Sequence, residues 1–254
     1  MAWQYKELAR ELMGREIKSR YKQSFLGYAW VILNPFFQML VMTFVFSLII
    51  RIPSLGVPYA IFLYVALLPW NLFANSLSHA TNSLVANAPL LKKIYFPREL
   101  FVISTIMAKL VDFGLASLIL VAFMLYFRVA ITWNILWVIP LLLIQLAFTY
   151  GLALILAAVN LLYRDVQYLL SLLILLWMYL TPVLYPMEMV PDRYRFIFRL
   201  NPMSVLVNAY REVILVGGHP KYSSLIIAGL VGLFSVLIGR YIFKKLERIF
   251  ADVV

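Results

Sequence analysis

The chain has 254 residues, of which 64% are hydrophobic and only 13% are charged, and its mean hydropathy is +0.91. An average soluble domain has about 25% charged residues, and one of this length buries only about three quarters of its unfolded surface. The composition therefore excludes soluble, disordered and fibrous proteins. Cysteine is absent and there are two histidines, so we expect no disulfide, no metal site and no cofactor in this chain.

Six apolar segments are long enough to cross a hydrocarbon core of about 30 Å, which takes about 20 helical residues. They cover residues 28–50, 59–77, 101–127, 133–160, 168–186 and 223–243. Long unbroken segments favour helices over the short alternating strands of a barrel. We therefore predict an all-α polytopic membrane protein with six transmembrane helices in a single transmembrane domain over residues 1–254.

The N-terminal stretch, residues 1–27, is predicted to form an amphipathic interface helix. Apolar residues recur there at helical spacing: Tyr5, Leu8, Ala9, Leu12, Met13 and Ile17. Such a helix lies in the plane of the membrane interface instead of spanning it. It is either a surface anchor alone or a platform that also contacts a cytoplasmic partner.

The connection between the second and third spans, residues 78–100, is basic but also rich in apolar residues. We single out residues 83–93 as a candidate docking helix, with Ser83, Asn87, Leu90, Leu91, Lys92 and Lys93. Apolar side chains in an exposed loop favour binding to another protein. The alternative is a solvated connector.

Residues 190–216 are predicted to form an external re-entrant helical hairpin, because the apolar part is too short to cross a membrane. Its candidate functional residues are Arg193, Arg195, Arg199, Asn201, Pro202 and Arg211. A non-spanning hairpin at membrane depth must be buried in protein or line a cavity. It is therefore either a gate or a lid over the helix bundle.

Two charges lie inside the third span. Lys109 and Asp112 are three residues apart, so they share a helix face and can pair. Intramembrane charges are costly and face the bundle interior or water. They form either a structural ion pair or part of a proton or ion relay.

Aromatic residues with a few amides mark candidate channel faces. The predicted channel residues are Trp30, Asn34, Phe37 and Phe44 in the first span, and Trp177 and Tyr179 in the fifth. Aromatic faces beside amides suit a sugar chain, which has apolar C–H faces and many hydroxyls. Ordinary helix packing is the alternative.

The distribution of charge predicts the orientation. Fourteen of the 22 lysines and arginines lie on the side that carries both termini, so the positive-inside rule places both termini in the cytoplasm. The basic residues are split among segments that flank the membrane, which fits contact with membrane lipids and excludes nucleic-acid binding.

The catalytic motifs that the sequence lacks are informative. There is no G-x-x-x-x-G-K-[ST] loop for ATP and no H-E-x-x-H pattern in these 254 residues. The carboxylates are scattered, and His79 and His219 lie on opposite predicted sides. We therefore do not expect an enzyme.

Five strings in order resemble the permease subunits of bacterial ABC transporters that export polysaccharides (O-antigen, capsule and teichoic acid), the ABC-2 type permeases. They lie at residues 20–30 with Asn34-Pro35, at 92–99, at 160–165, at 181–186 and at Asn201-Pro202-Met203.

The resemblance implies an inner-membrane permease in which two copies of the chain form a channel and two cytoplasmic ATPase subunits supply ATP and magnesium. Residues 83–93 would be the coupling helix, residues 190–216 the external gate, and the aromatic rings the lining for a lipid-linked polysaccharide. O-antigen is the first expectation. Teichoic acid or a small lipid or drug is the alternative, and a membrane enzyme acting on lipid-linked sugars is the third hypothesis.

Overall fold

The computed structural model describes residues 6–21, 26–54, 56–93 and 96–250, without the side chains of residues 19–21 and 91–93. In these ranges the chain is helical and contains no strand. The helices are α1 (Lys6–Tyr21), α2 (Ala29–Thr43), α3 (Tyr59–Ala86), α4 (Ala88–Lys93), α5 (Glu99–Tyr126), α6 (Val138–Leu162), α7 (Val166–Tyr179), α8 (Arg195–Leu200), α9 (Pro202–Arg211) and α10 (Tyr222–Glu247). Short π-helical or 3-10 turns occur at Phe44–Ile49, Trp133–Trp137, Met187–Met189, Asp192–Tyr194 and Glu212–Val216.

Five helical segments in the described ranges are long and apolar enough to cross a membrane, so the all-α membrane prediction is confirmed. They are Ala29–Ile49, Tyr59–Ala86, Glu99–Tyr126, Trp133–Leu162 and Tyr222–Glu247. The predicted count of six is not confirmed. The segment 168–186 overlaps α7, which has 14 residues, begins at Val166 and ends at Tyr179. At 1.5 Å per residue α7 is about 21 Å long, shorter than the hydrocarbon core.

α3 is the central helix. It packs against α2, α5, α6, α7 and α9, and most of its side chains are buried. Phe62, Tyr64 and Phe73 are fully buried in it, and the Tyr64 hydroxyl donates to the Ala116 carbonyl of α5 at 3.0 Å. The helix also runs nine residues beyond the predicted end of the second span, because Ala80, Thr81 and Leu84 keep one side buried although the other side is polar.

α6 and α10 pack along a line of small residues. Four small residues at helical spacing on α10 are buried: Ala228, Gly232, Ser235 and Gly239. A Cβ atom added at Gly239 would collide with the backbone of Gly151 in α6. The two helix backbones therefore approach each other so closely that only glycine fits at this crossing.

Arg98 and Glu99, in the string at residues 92–99, join the start of α5 to the middle of α6 and the C-terminal part of α10. The Arg98 guanidinium donates to the Glu247 carbonyl at 2.6 Å. Glu99 accepts a hydrogen bond from the Tyr150 hydroxyl at 2.9 Å and forms an ion pair with Arg240 at 3.7 Å. One arginine and one carboxylate thus connect three helices.

Asn160 holds the turn between α6 and α7. Its side-chain nitrogen donates to the Thr81 carbonyl of α3 at 3.0 Å, and its side-chain oxygen accepts from the Gln167 backbone nitrogen at 3.1 Å. The amide is almost fully buried. The 160–165 string therefore fixes the start of α7 against α3.

α1 packs against α5. Its inward side chains include Leu8, Leu12 and Ile17, and its exposed positions include the charged residues Lys6, Glu7, Arg10, Glu11, Arg15 and Lys18. This is the apolar face predicted from the sequence. Residues 1–5 and 22–25 of the predicted interface helix, and the side chains of residues 19–21, lie outside the described structure.

Replacing Gly239 with Ala should destabilise the protein, because the added methyl group has no space at the α6–α10 crossing. Overpacking of this kind costs about 1–3 kcal/mol. The matched control is Gly229→Ala on the same helix, where the nearest atom to an added Cβ is 3.9 Å away. Thermal unfolding in detergent measures the difference, and equal melting temperatures for the two variants would contradict the close approach.

Candidate functional site

The predicted channel face of α2 is exposed in the single chain. The exposed fractions are 39% for Trp30, 51% for Phe37 and 58% for Phe44, and Asn34 is also exposed. In α2 and the π-helical turn that continues it, the exposed residues Trp30, Asn34, Phe37 and Phe44 follow one another at helical spacing along a single face. This face is not occupied by other parts of the chain in the described ranges.

A cavity of about 490 Å³ lies between α2, α3 and α5. Trp30 and Asn34 line it from α2, together with Gln38, Asn71 and Asn75. The Asn71 side-chain nitrogen donates to the Gln38 side-chain oxygen at 3.0 Å, which joins α3 to α2. The structure therefore places two of the six predicted channel residues at a polar cavity.

The predicted ion pair is present and faces the same cavity. The Lys109 ammonium lies 3.5 Å from an Asp112 carboxylate oxygen, and their side chains are 10% and 20% exposed. Both residues line the cavity from α5. A pair of opposite charges at this depth is expected, because an isolated intramembrane charge costs several kcal/mol.

Trp177 lies in a buried aromatic cluster away from α2. Its ring makes edge contacts with Phe73 and Phe148, with centroids 5.1 and 6.1 Å apart. Its indole nitrogen donates to the Asn201 side chain at 3.0 Å. Tyr179, the last residue of α7, is 53% exposed. The structure does not bring these two predicted channel residues to the α2 cavity.

Asn201 connects the end of α7 to the start of α9. Its side-chain oxygen accepts from the Met203 backbone nitrogen as a helix N-cap, and its side-chain nitrogen donates to the Leu180 carbonyl and the Thr181 hydroxyl at 3.1 and 3.0 Å. Pro202 is buried at the first turn of α9, where a missing N–H costs nothing. Each hydrogen-bonding group of this one amide is used.

Arg211 holds the non-helical segment that follows α7. Its guanidinium donates to the carbonyls of Pro182 and Val183 at 2.6 Å each and of Tyr185 at 3.2 Å. It also lies over the Phe62 ring, 3.7 Å from the centroid. Burial lowers the pKa of Arg211 to about 9, so the group stays charged at neutral pH. A planar guanidinium with five donors suits a cluster of carbonyls.

The other predicted gate arginines lie nearer the surface. Arg195 forms an ion pair with Asp192 at 2.5 Å and donates to the Val190 carbonyl. Arg193 lies over the Tyr194 ring, 4.4 Å from its centroid. Arg199 lines a cavity of about 350 Å³ between α8, α9 and the start of α10.

The predicted coupling segment lies at the opposite end of α3. Ser83 belongs to α3 itself and is buried, whereas Leu90 lies in α4 and packs partly against the core. Asn87, between the two helices, donates to the Ser83 carbonyl at 2.7 Å and accepts from Arg15 of α1. The side chains of Leu91, Lys92 and Lys93 lie outside the described structure. α1 and Leu90 line an open groove of about 1070 Å³.

The sequence prediction missed the polar residues of α3 that line the cavity. Asn71 and Asn75 lie in the second predicted span, and neither stood out in an otherwise apolar segment. Their spacing of four residues, which Ser78, His79 and Asn82 continue, is the signal that could have found them. Among the described residues, no cluster of three or more histidines and carboxylates could hold a metal.

Replacing Arg211 with Met should unfold or loosen the α7–α9 connection, because three buried carbonyls lose their donor. Each buried group left without a partner costs about 1–3 kcal/mol. Arg211→Lys should recover only part of the stability, since a single ammonium cannot reach all three carbonyls with the geometry of a guanidinium. Arg193→Met, at an exposed site, is the control and should change stability by less than about 0.5 kcal/mol. Thermal unfolding in detergent compares the three variants; equal effects of Arg193→Met and Arg211→Met would contradict this role.

Comparison with known proteins agrees with these features. A family model described as "ABC-2 type transporter" matches residues 7–215. An O-antigen export system permease protein RfbA of Klebsiella pneumoniae is 33% identical over 245 residues, which are 95% of this chain and 93% of the relative. A protein of the same name from Myxococcus xanthus is 34% identical over 253 residues, or 98% and 96% of the two chains.

A more distant relative is the polysialic acid transport protein KpsM of Escherichia coli, 24% identical over 251 residues, or 92% of this chain and 91% of the relative. The family model covers more than half of the chain, and the relatives above 30% identity align over nearly the whole length. With its several apolar helices the chain is an integral inner-membrane protein, and it belongs to the ABC-2 type transporter family as a permease.

Proposed function

We propose that this chain is the permease of an ABC transporter that exports a lipid-linked polysaccharide across the cytoplasmic membrane. O-antigen is the first candidate substrate. The observation that carries the proposal is the full-length similarity to O-antigen export permeases, at 33% and 34% identity. The relatives are permease subunits of transporters, so the chemistry of this chain is binding and conduction.

ATP is hydrolysed in this proposal by two separate cytoplasmic ATPase subunits, which bind ATP and magnesium. The 254 residues contain no P-loop motif, so the energy must come from another chain. A second copy of the permease completes the channel. The exposed face of Trp30, Phe37 and Phe44 supports this. An aromatic surface that the chain itself leaves uncovered could form one side of a channel, and a second copy could form the other side.

The orientation places both termini in the cytoplasm and requires an even number of crossings. α7 and the non-helical segment up to Pro186 would then complete the sixth crossing. Backbone groups outside a helix need protein partners at membrane depth. Arg211 and Asn201 supply such partners to the carbonyls of residues 180–185.

The two ends of α3 separate the proposed coupling and gating parts. Arg211 contacts Phe62 near the start of α3, and Asn87 follows its end, a distance of about 36 Å along the helix. Residues 83–93 would bind the ATPase at one end, and the hairpin of residues 190–216 would act as the external gate at the other. Trp30, Asn34, Phe37, Phe44, Trp177 and Tyr179 remain the proposed channel residues.

The experiment for this function is deletion of the gene in its host and complementation with the chain. Deletion should remove polymer from the cell surface and leave lipid-linked polymer in the cytoplasmic membrane, and complementation should restore export. Complementation together with an ATPase variant that cannot hydrolyse ATP should fail. Unchanged surface polymer after deletion, or export with the inactive ATPase, would overturn the proposal.

A capsular polysaccharide is the second candidate, because the KpsM relative named above aligns over 92% of the chain. Its lower identity, 24%, ranks this substrate behind O-antigen. Analysis of the accumulated polymer in the deletion strain distinguishes the two.

Leu90→Asp should reduce the amount of ATPase that co-purifies with the permease by about tenfold, because a charge in an apolar contact costs about 1.4 kcal/mol or more. Leu90→Met keeps an apolar side chain and should bind normally. Leu90 also packs partly against the core, so Pro89→Asp at the exposed neighbouring position is tested as a second variant. Normal co-purification of both Asp variants would contradict the coupling role of residues 83–93.

A further inference from the structure

α3 is buried over most of its length, but one face of its second half is polar. The exposed residues of this helix, all 28 of which are described, are Asn75, Ser78, His79, Asn82 and Ala86. The half-buried Asn71 continues the same face. At 100° per residue, these positions fall within an arc of about 100°. We call Asn71, Asn75, Ser78, His79 and Asn82 the polar stripe.

The polar stripe begins near the middle of α3, a helix long and apolar enough to cross a membrane. α3 has 28 residues and is therefore about 42 Å long, and Asn71 lies near its centre. Asn75 lies about 6 Å further along the helix. A hydrocarbon core of about 30 Å centred on α3 would contain both amides. An amide exposed to lipid at this depth would lack hydrogen-bond partners at a cost of several kcal/mol.

The exposed face of α10 shows what a lipid-facing surface of this chain looks like. Ile226, Leu230, Leu233 and Leu237 are between 56% and 63% exposed there. The exposed face of α3 carries amides, a hydroxyl and an imidazole instead. The chain therefore has two kinds of open surface, and the α3 face is suited to water or polar groups.

Two cavities follow the polar stripe and share His79. The cavity of about 490 Å³ contains Asn71 and Asn75 in its wall, and a second one of about 340 Å³ contains Ser78 and Asn82. The second cavity continues to Asn87, beside α4. A polar track therefore runs from the centre of α3 to the end at which the ATPase is proposed to bind.

The chemistry of the larger cavity fits a neutral chain of hydroxyl groups. An amide both donates and accepts hydrogen bonds, as a hydroxyl does, and the wall of the larger cavity has four amides: Asn34, Gln38, Asn71 and Asn75. Among the described residues of that wall, the charged ones are Lys109 and Asp112, which pair and so leave the wall neutral. Trp30 adds a ring face for C–H groups.

We propose that the polar stripe of α3 is the glycan path through the half of the membrane nearer α4. Sugar hydroxyls exchange hydrogen bonds with successive amides, about 6 Å apart from Asn71 to Asn75, as the chain moves along the helix. This inference rests on the proposed function and adds to it a polar wall that the aromatic channel prediction did not contain. The occupant is the polymer; a second copy of the chain is the competing occupant.

Cysteine labelling tests the path, because the chain has no native cysteine. Asn75→Cys and Asn82→Cys should react with a membrane-impermeant maleimide in inside-out vesicles that contain the permease and its ATPase. Leu230→Cys, on the apolar face of α10, is the control and should stay unmodified. An unmodified Asn75→Cys, with or without a disulfide-linked dimer, would overturn the proposal and show that protein or lipid covers the stripe.

Export measurements test the occupant. Asn75→Leu and the double variant Asn71→Leu/Asn75→Leu should lower the rate of polymer export by about fivefold or more, which corresponds to the loss of one hydrogen bond of about 1 kcal/mol. Asn75→Gln keeps the amide and should recover part of the export rate that Asn75→Leu loses, and all variants should bind the ATPase. Normal export by the double variant would overturn the proposal.

Together, the labelling and export experiments distinguish a failure of the proposed export function from a failure of the glycan path along α3. If the unmodified chain exports no polymer, the proposed function and the glycan assignment fail together, whereas the labelling pattern still decides whether the stripe lines water. If the unmodified chain exports polymer but the stripe variants do so equally well, only the glycan path along α3 fails.

Discussion

A polar group taken out of water must find a partner inside the protein, and this constraint explains how the helices of this chain are arranged. α3 is where it acts most strongly, because five helices besides the adjoining α4 pack against it. Gln145 of α6 donates to the Pro69 carbonyl of α3 at 2.7 Å and accepts from the Tyr210 hydroxyl of α9 at 3.2 Å. Buried polar groups therefore link α3, α6 and α9 as much as apolar packing does.

The strings that resemble the family contain several of these partners. Asn160 fixes the start of α7, Glu99 joins α5 to α6 and α10, and Asn201 joins the end of α7 to α9. In each case one polar side chain satisfies groups on two or three elements. Such residues are hard to replace, since no apolar side chain of similar size makes the same hydrogen bonds. These residues of the family-like strings therefore have a structural role: they attach the ends of helices to neighbouring helices.

The surfaces that remain open in the described chain differ in their chemistry. The faces of α7 and α10 carry exposed leucines, such as Leu172 and Leu230, as expected for contact with lipid. The α2 face carries aromatic rings, and the adjoining α3 face carries amides. A permease that conducts a long polymer needs many weak contacts instead of one tight site, because tight binding would stop movement. On the path proposed here, a neutral polar wall beside aromatic rings would provide such contacts.

The sequence by itself determined the class of the protein, the all-α architecture, most of the membrane segments and the Lys109–Asp112 pair. These follow from local composition and spacing, which act within one helix. Tertiary structure decided the rest: that α7 ends at Tyr179 and its following carbonyls are held by Arg211, and that Trp177 packs into an aromatic cluster. It also decided that α3 is polar on its one open face. These features depend on contacts between residues that are 20 to 150 positions apart, and no local pattern encodes which helix will cover which face.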